Sequence, residues 1–281
     1  MTSPTTSTSE QEASPLGPRR FDVGRWARRS LAPVILAVAL FLGIWQAVVL
    51  TGWRPDYLLP GPATVLAALG EISAAGEFWQ ALGRTLLRAL TGFGLAAAIG
   101  TLLGLVVARS RLLRAAIGSL VTGLQTMPSV VWFPLAILLL GLGEQAIMFV
   151  VVLGAAPSIA NGVLTGVDQV PPAYFRLGHV LRAKGWNLYR FIVIPAALPS
   201  YVGGLNQGWA FAWRSLMAGE LLVVIPGAVG LGNRLAFAQE FGDAAGLLAY
   251  MIVILVIGML ADLAFSALSR RIRLRRGLTV R

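Results

Sequence analysis

The chain has 281 residues, of which 57% are hydrophobic and only 12% charged, with a mean hydropathy of +0.75; a soluble domain carries about 25% charged residues, so a single soluble core is excluded and a bilayer is the fitting solvent. The net charge of +11, from 23 Lys and Arg against 12 Asp and Glu, reads as the basic excess of cytoplasmic loops rather than as a nucleic-acid surface. With no cysteine and one histidine, His179, disulfides and thiol chemistry are ruled out and no metal site is expected.

Residues 1–18 are Ser, Thr, Pro and acidic, a composition that cannot bury a core. They lack the basic-then-apolar order of a signal peptide. With Arg19, Arg20, Arg25, Arg28 and Arg29 they form an expected disordered, basic cytoplasmic tail over residues 1–29. A transmembrane domain is expected over 30–270 and a basic cytoplasmic tail over 271–281.

A spanning helix needs about 20 apolar residues. Residues 31–51 and 86–108 supply two. The apolar stretch 115–167 is too long for one crossing. Split at Gly141-Leu142-Gly143-Glu144, it gives helices over 117–140 and 145–167. A fifth is expected over 200–224 and a sixth over 247–268. The fold class is therefore all-α, a polytopic bundle of six spanning helices. Between the first two, Pro60-Gly61-Pro62 makes a turn, and Val65, Leu66, Leu69 and Ile72 recur at helical spacing, as in an interfacial helix. Residues 225–245 read as a Gly-rich outer loop.

Eighteen of the 23 Lys and Arg fall on one side if the N-terminus is cytoplasmic; the other five are Arg54, Arg84, Arg88, Arg214 and Arg234. The positive-inside rule then puts both termini in the cytoplasm. Within the spans, Arg214, Glu220 and Asp262 need a reason to be there. They are paired with neighbouring helices or line a path. Gln125, Ser129, Asn206 and Gln207 supply polar groups to such a path without full charge. Gly100 and Gly104 form a Gly-x-x-x-Gly pair suited to close helix packing. Pro128, Pro134 and Pro157 are candidate kinks.

The segment 168–198 (DQVPPAYFRLGHVLRAKGWNLYRFIVIPAAL) is the long internal cytoplasmic loop. After Pro171-Pro172, Tyr174–Arg190 reads as one helix, too polar to span, with an apolar face at Leu177, Leu181 and Leu188. It lies on the membrane surface or docks on a cytoplasmic partner.

This loop resembles the signature of integral permeases of bacterial binding-protein-dependent ABC importers. That signature is Glu-Ala-Ala, three residues, Gly, nine residues, Ile, one residue, Leu-Pro. Matched from its proline end it falls on Ile192, Ile194 and Pro195. Trp186, Leu188, Tyr189 and Arg190, then Ala196-Ala197-Leu198-Pro199, Gly204-Leu205 and Gly208, are similar to the sulfonate/nitrate/taurine branch. The stretches 124–134, 141–144 and 209–220 add to the likeness. The chain departs from the signature at Arg176, Leu177 and Gly178 (Glu-Ala-Ala) and at Arg182 (Gly); a shifted match puts the glycine at Gly185.

The resemblance implies an ATPase-coupling loop built from Arg176, Leu177, Gly178, Arg182, Ala183, Lys184, Gly185, Trp186, Ile192 and Pro195. It also implies a translocation path, for which Arg214, Gln125, Ser129, Asn206, Gln207 and Glu220 are the candidates. The implied partners are a cytoplasmic ATP-binding subunit, an extracytoplasmic solute-binding protein and a second permease copy, in the inner membrane. The implied cargo is a small, anionic solute. No cofactor is expected on this chain: it has no Walker A sequence, and its one lysine, Lys184, follows no Gly-rich loop. Hence ATP is expected in a partner, and the chain is not expected to be an enzyme. The rival readings are an ion-coupled secondary transporter, for which no inverted repeat is visible, and a membrane-embedded enzyme, for which no cluster of nucleophiles or acid–base pairs is present.

A reporter fused after Arg281 is expected to behave as cytoplasmic, and one inserted between Gly227 and Gly242 as external. Protease or alkaline-phosphatase mapping in whole cells reads this directly, and the inverse pattern refutes it.

Overall fold

The computed structural model of the chain describes residues 23–110, 113, 114, 118, 123–183 and 185–274, without the side chains of 23–31, 179 and 273. Nine helices are named here: α1 (Val23–Leu50), α2 (Pro62–Ala74), α3 (Gly76–Ala108), α4 (Phe133–Leu140), α5 (Glu144–Asp168), α6 (Pro172–Val180), α7 (Ile194–Leu222), α8 (Leu231–Glu240) and α9 (Ala244–Leu274). A 3₁₀ turn, Ser129–Trp132, leads into α4, and a short helix Trp186–Leu188 with a π turn Tyr189–Val193 runs into α7.

Among the described residues five helical stretches are long and apolar enough to cross a membrane: Ala32–Leu50, Gly76–Ala108, Glu144–Asp168, Trp186–Leu222 and Ala244–Ile272. The third expected span, 117–140, is not one continuous helix where it is described. Pro128 has no N–H to continue the helix, so the chain turns there, with Val131 N–H donating to Pro128 O at 3.0 Å. Pro134 then sits in the first turn of α4, where a missing donor costs nothing. By contrast, Pro157 and Pro199 are carried inside continuous helices. The fifth span also starts earlier than 200. The Gly-rich segment 225–245, expected as an outer loop, holds α8, which the glycines concealed: Asn233 closes its first turn by accepting the Gly230 N–H at 2.9 Å. The expected domain limits at 29/30 and 270/271 fall inside α1 and α9.

Residues up to Trp53 form one compact unit and Arg54 onward another. In the first, no described side chain between Ala32 and Leu50 is buried. A helix this apolar with no buried side chain along that length needs lipid around it.

In the second unit α5 is the most enclosed helix, packed between α3 and α7. Lipid gives no hydrophobic drive for helices to associate, so spans meet where small residues let backbones approach. The seam here is built that way. Gly100 and Gly104 of α3 face Ala156 and Ala160 of α5, and a Cβ on Gly104 would lie 2.9 Å from the Ala160 carbonyl oxygen. Gly162 of α5 and Gly204 of α7 are closer still: a Cβ on either would come within 2.6 Å of the other's Cα. Phe93, Trp209 and Phe265 close the other flank in edge-on and tilted contacts of 5.4 to 6.0 Å. On the outside, α2 buries Val65 and packs against α9.

Gly204→Val is expected to overpack the α5–α7 seam and cost about 1–3 kcal/mol, whereas Gly94→Ala, with open space beside it, should be neutral. Thermal unfolding of the purified protein in detergent compares them; equal midpoints for the two variants would contradict this packing.

Candidate docking hairpin and translocation face

The loop expected on the cytoplasmic side is a hairpin rather than the single helix expected over Tyr174–Arg190. α6 ends at Val180, and Arg182 takes φ 52° while Gly185 takes φ 56°. The Ala183 N–H reaches back to Gly178 O at 2.9 Å. This is the six-to-one bond of a Schellman turn, with Arg182 in the left-handed position that glycine normally fills. A non-glycine residue held there costs roughly 1 kcal/mol or more. The signature's glycine, matched from the proline end, thus falls on the one described non-glycine residue with positive φ.

The returning strand of the hairpin packs on α6. A Cβ on Gly178 would lie 2.5 Å from Leu188 Cδ1 and 3.1 Å from Ile192 Cδ1. Gly178 therefore occupies a position where only a very small side chain fits. Arg176, Leu177, Arg182, Gly185 and Trp186 are exposed on the outside, Ala183 and Ile192 are half-buried, and Pro195 lies in the first turn of α7. Lys184 lies outside the described residues.

α7 divides into two faces. Gly204, Gly208, Ser215 and Gly219 meet α5 and the α4–α5 corner. Between Val202 and Glu220 its exposed residues are Gly203, Gln207 and Arg214, and Leu221 follows. At about 100° per residue these four fall within about 40° of one another, on a face turned about 115° from the seam. Arg214 donates from Nε to Ala210 O at 3.1 Å and lies 5.2 Å from the Phe211 ring. It borders a largely apolar groove of about 640 Å³ between α7 and α9, with Trp213, Met217, Met259 and Asp262 among its walls. Asn206 borders a second groove of about 420 Å³, with Ser266, Ser269 and Arg270. Gln125 and Ser129 belong to the broken segment before α4; the Gln125 Nε2 is buried and has no partner among the described residues.

Glu220 is placed elsewhere. It is fully buried, on a face of α7 separate from both the seam and the exposed stripe. Its carboxylate accepts from Thr85 Oγ1 at 2.9 Å, Arg88 Nη1 at 3.0 Å and the Gly232 N–H at 2.9 Å. Arg88, itself buried, donates from Nε to Glu144 Oε1 at 2.8 Å and from Nη2 to Glu144 Oε2 and Ala228 O, both at 2.9 Å. Thr85 also accepts the Leu231 N–H at 2.8 Å, and Asn233 donates to the carbonyls of Glu220 and Val223. One knot thereby ties α3, α5, α7 and the chain entering α8. Its members Thr85, Arg88, Glu144 and Asn233 were not singled out from sequence as site residues. The available signal was that Arg88 and Glu144 each sit in an apolar run, where a charge requires a partner.

Residues 100–274 match the family described as binding-protein-dependent transport system inner membrane component. The taurine transport system permease TauC of Escherichia coli is 28% identical over 254 residues, covering 88% of this chain and 91% of that protein. The nitrate import permease NrtB of Synechocystis is 28% identical over 236 residues, covering 81% and 84%. In fold, the chain is similar to one in a crystal structure of a bacterial alginate ABC transporter in complex with an alginate pentasaccharide-bound periplasmic protein, with TM-score 0.59, 15% identity and 90% of this chain covered.

Arg88→Met strands the buried Glu220 carboxylate and is expected to destabilise the protein by about 3–5 kcal/mol, while Arg88→Met combined with Glu220→Met should recover part of that loss. Thermal unfolding in detergent separates the two; a single variant as stable as wild type would remove the knot's structural role.

Proposed function

Because this chain belongs to the family of binding-protein-dependent transport system inner membrane components, we propose that it lines, with a second copy of itself, an alternating-access path for a small oxyanion. It is a permease subunit of an ABC importer and a multi-pass inner-membrane protein; it is not itself an enzyme, and ATP is hydrolysed by a separate subunit. A solute-binding protein delivers the cargo, as the alginate transporter's periplasmic partner illustrates for that system.

The observation that carries the path assignment is the exposed stripe of α7. Arg214 is eight residues from the C-terminal end of that helix, or about 12 Å along its axis. That depth is close to the middle of a hydrocarbon core about 30 Å thick. A guanidinium facing lipid there costs several kcal/mol. Gln207 sits about 10 Å further along the same stripe, and Asp262 shares the adjoining groove. A water-filled interface with a second copy gives these groups a polar medium and leaves a cation facing the path. Relatives are named for taurine and for nitrate; a zwitterionic sulfonate and an inorganic anion share a small oxyanion group that such a cation suits. Glu220 drops out of the proposed path, because its carboxylate is consumed by the buried knot.

At the cytoplasmic side, the hairpin from Pro172 to Ile192 is assigned to docking on the ATP-binding subunit. The charge distribution supports cytoplasmic termini, which puts the hairpin and the ATP-binding subunit in the same compartment.

Arg214→Gln is expected to assemble normally and to slow uptake about tenfold or more, equivalent to ~1.4 kcal/mol of barrier, with Arg214→Lys retaining part of the rate. Uptake of labelled taurine and of nitrate into vesicles carrying the complete importer measures this. Wild-type uptake by Arg214→Gln, or its failure to assemble, would make Arg214 structural.

A further inference from the structure

Between Gln169 and Gly219 the chain has no acidic residue, while Arg176, Arg182, Lys184, Arg190 and Arg214 all fall there. Three of these cations, Arg176, Arg182 and Arg190, are exposed on the described part of the hairpin, and no acidic side chain among the described residues pairs with any of them; Arg190 lies over the Phe191 ring. Arg182 stands at the apex, flanked by Val180 and Leu181, which are 79% and 65% exposed. The apex is therefore greasy, cationic and lacking an internal counter-charge.

The backbone adds an independent observation. Arg182 occupies the left-handed position of the Schellman turn, where glycine would relieve the strain. Strain of this kind, held in place by the surrounding turn, points to a use for the side chain that sits there. The turn is also preorganised: Gly178 is closed against Leu188 and Ile192. A fluid lipid surface rewards charge and apolar area whatever the backbone shape. A fixed turn presenting one cation directly after two exposed apolar side chains is matched better by a protein cleft, because preorganisation reduces the cost of ordering on binding.

We propose that the hairpin apex is a cationic plug, with Arg182 at its tip and Arg176 on its flank, that seats in an acidic cleft on the ATP-binding subunit. This rests on the docking role assigned to the hairpin above and adds the chemistry of the partner surface. Arg176 stands where the family signature has a glutamate. The partner cleft must therefore supply carboxylates to this chain, and a partner built for an acidic loop would repel it.

The test uses the complete importer purified in detergent and in nanodiscs. The chain has no cysteine, so Leu181→Cys introduces the single thiol for cross-linking to the ATP-binding subunit. A cross-link is expected; its absence would refute the docking role and the plug together. Arg176→Glu with Arg182→Glu is expected to cut the co-purifying ATP-binding subunit about tenfold at equal amounts of inserted permease. Arg182→Gly relaxes the turn but removes the charge, so it should lose retention a few-fold; a purely structural Arg182 would leave retention equal or higher. Raising salt from about 50 mM to about 0.5 M should weaken the wild-type complex, because exposed charges are screened, and leave the reversed variant unchanged. If the reversed variant retains the subunit fully while the cross-link persists, docking stands and the acidic cleft is refuted. Should the double reversal block insertion, Arg176→Gln with Arg182→Gly replaces it, with the same few-fold loss expected and full retention refuting the plug. Retention that requires about 30% anionic lipid in the nanodisc, the kind of leaflet charge that attracts basic segments, would identify the bilayer as the occupant and overturn the proposal.

Discussion

The close approach of α5 to α7 at Gly162 and Gly204 is the constraint on which the rest of the bundle depends. Two backbones can touch there only because neither residue has a Cβ, and in lipid such contacts replace the hydrophobic drive of a soluble core. Once one face of α7 is committed to α5, helical geometry leaves the face about 115° away, with Gln207 and Arg214, pointing out of the monomer. The same commitment turns Glu220 inward, toward Arg88 and Thr85. A change at the seam would therefore alter both the exposed stripe and the knot.

The intramembrane charges divide by how they are satisfied. Arg88 pairs with both Glu144 and Glu220 through short, charge-assisted bonds, and a backbone N–H at the start of α8 takes up part of the remaining negative charge. Breaking the buried Arg88–Glu220 pair is costly, because the surviving member keeps its desolvation penalty. Among the described residues, Arg214 has a carbonyl of its own helix and the face of the Phe211 ring for company. It is held in place by the helix and not by an opposing carboxylate. A cation positioned in that way keeps its charge available to something that passes.

The long apolar runs and the small-residue spacing of Gly100 and Gly104 were legible in the sequence because both follow from helical period and bilayer thickness. The broken segment around Pro128 was only half legible. Proline marks where a helix can kink, but whether the chain kinks, as here, or continues, as at Pro157, depends on its neighbours. The hairpin was misread as one helix because no proline interrupts Tyr174–Arg190. The turn is made instead by Arg182 in a conformation its side chain disfavours. Composition also concealed α8 among glycines. The knot escaped because Arg88 and Glu220 are 132 positions apart, and only the packing of α3 on α5 and α7 brings them together. For the same reason Glu220 and Arg214, six residues apart on one helix, looked alike in sequence and sit in opposite environments.

The claim that most needs testing is that the exposed stripe of α7 borders a path and not lipid. Gln207→Cys, in a chain without other cysteines, places a single thiol on that stripe; Leu102→Cys, on the exposed face of α3 (65% exposed), is the control. In membranes carrying the complete importer, the account predicts that the thiol at 207 reacts with a small water-soluble reagent and is protected by the transported anion, while the thiol at 102 stays inert. A thiol at 207 as inert as the one at 102, or labelled equally with and without the anion, would contradict it.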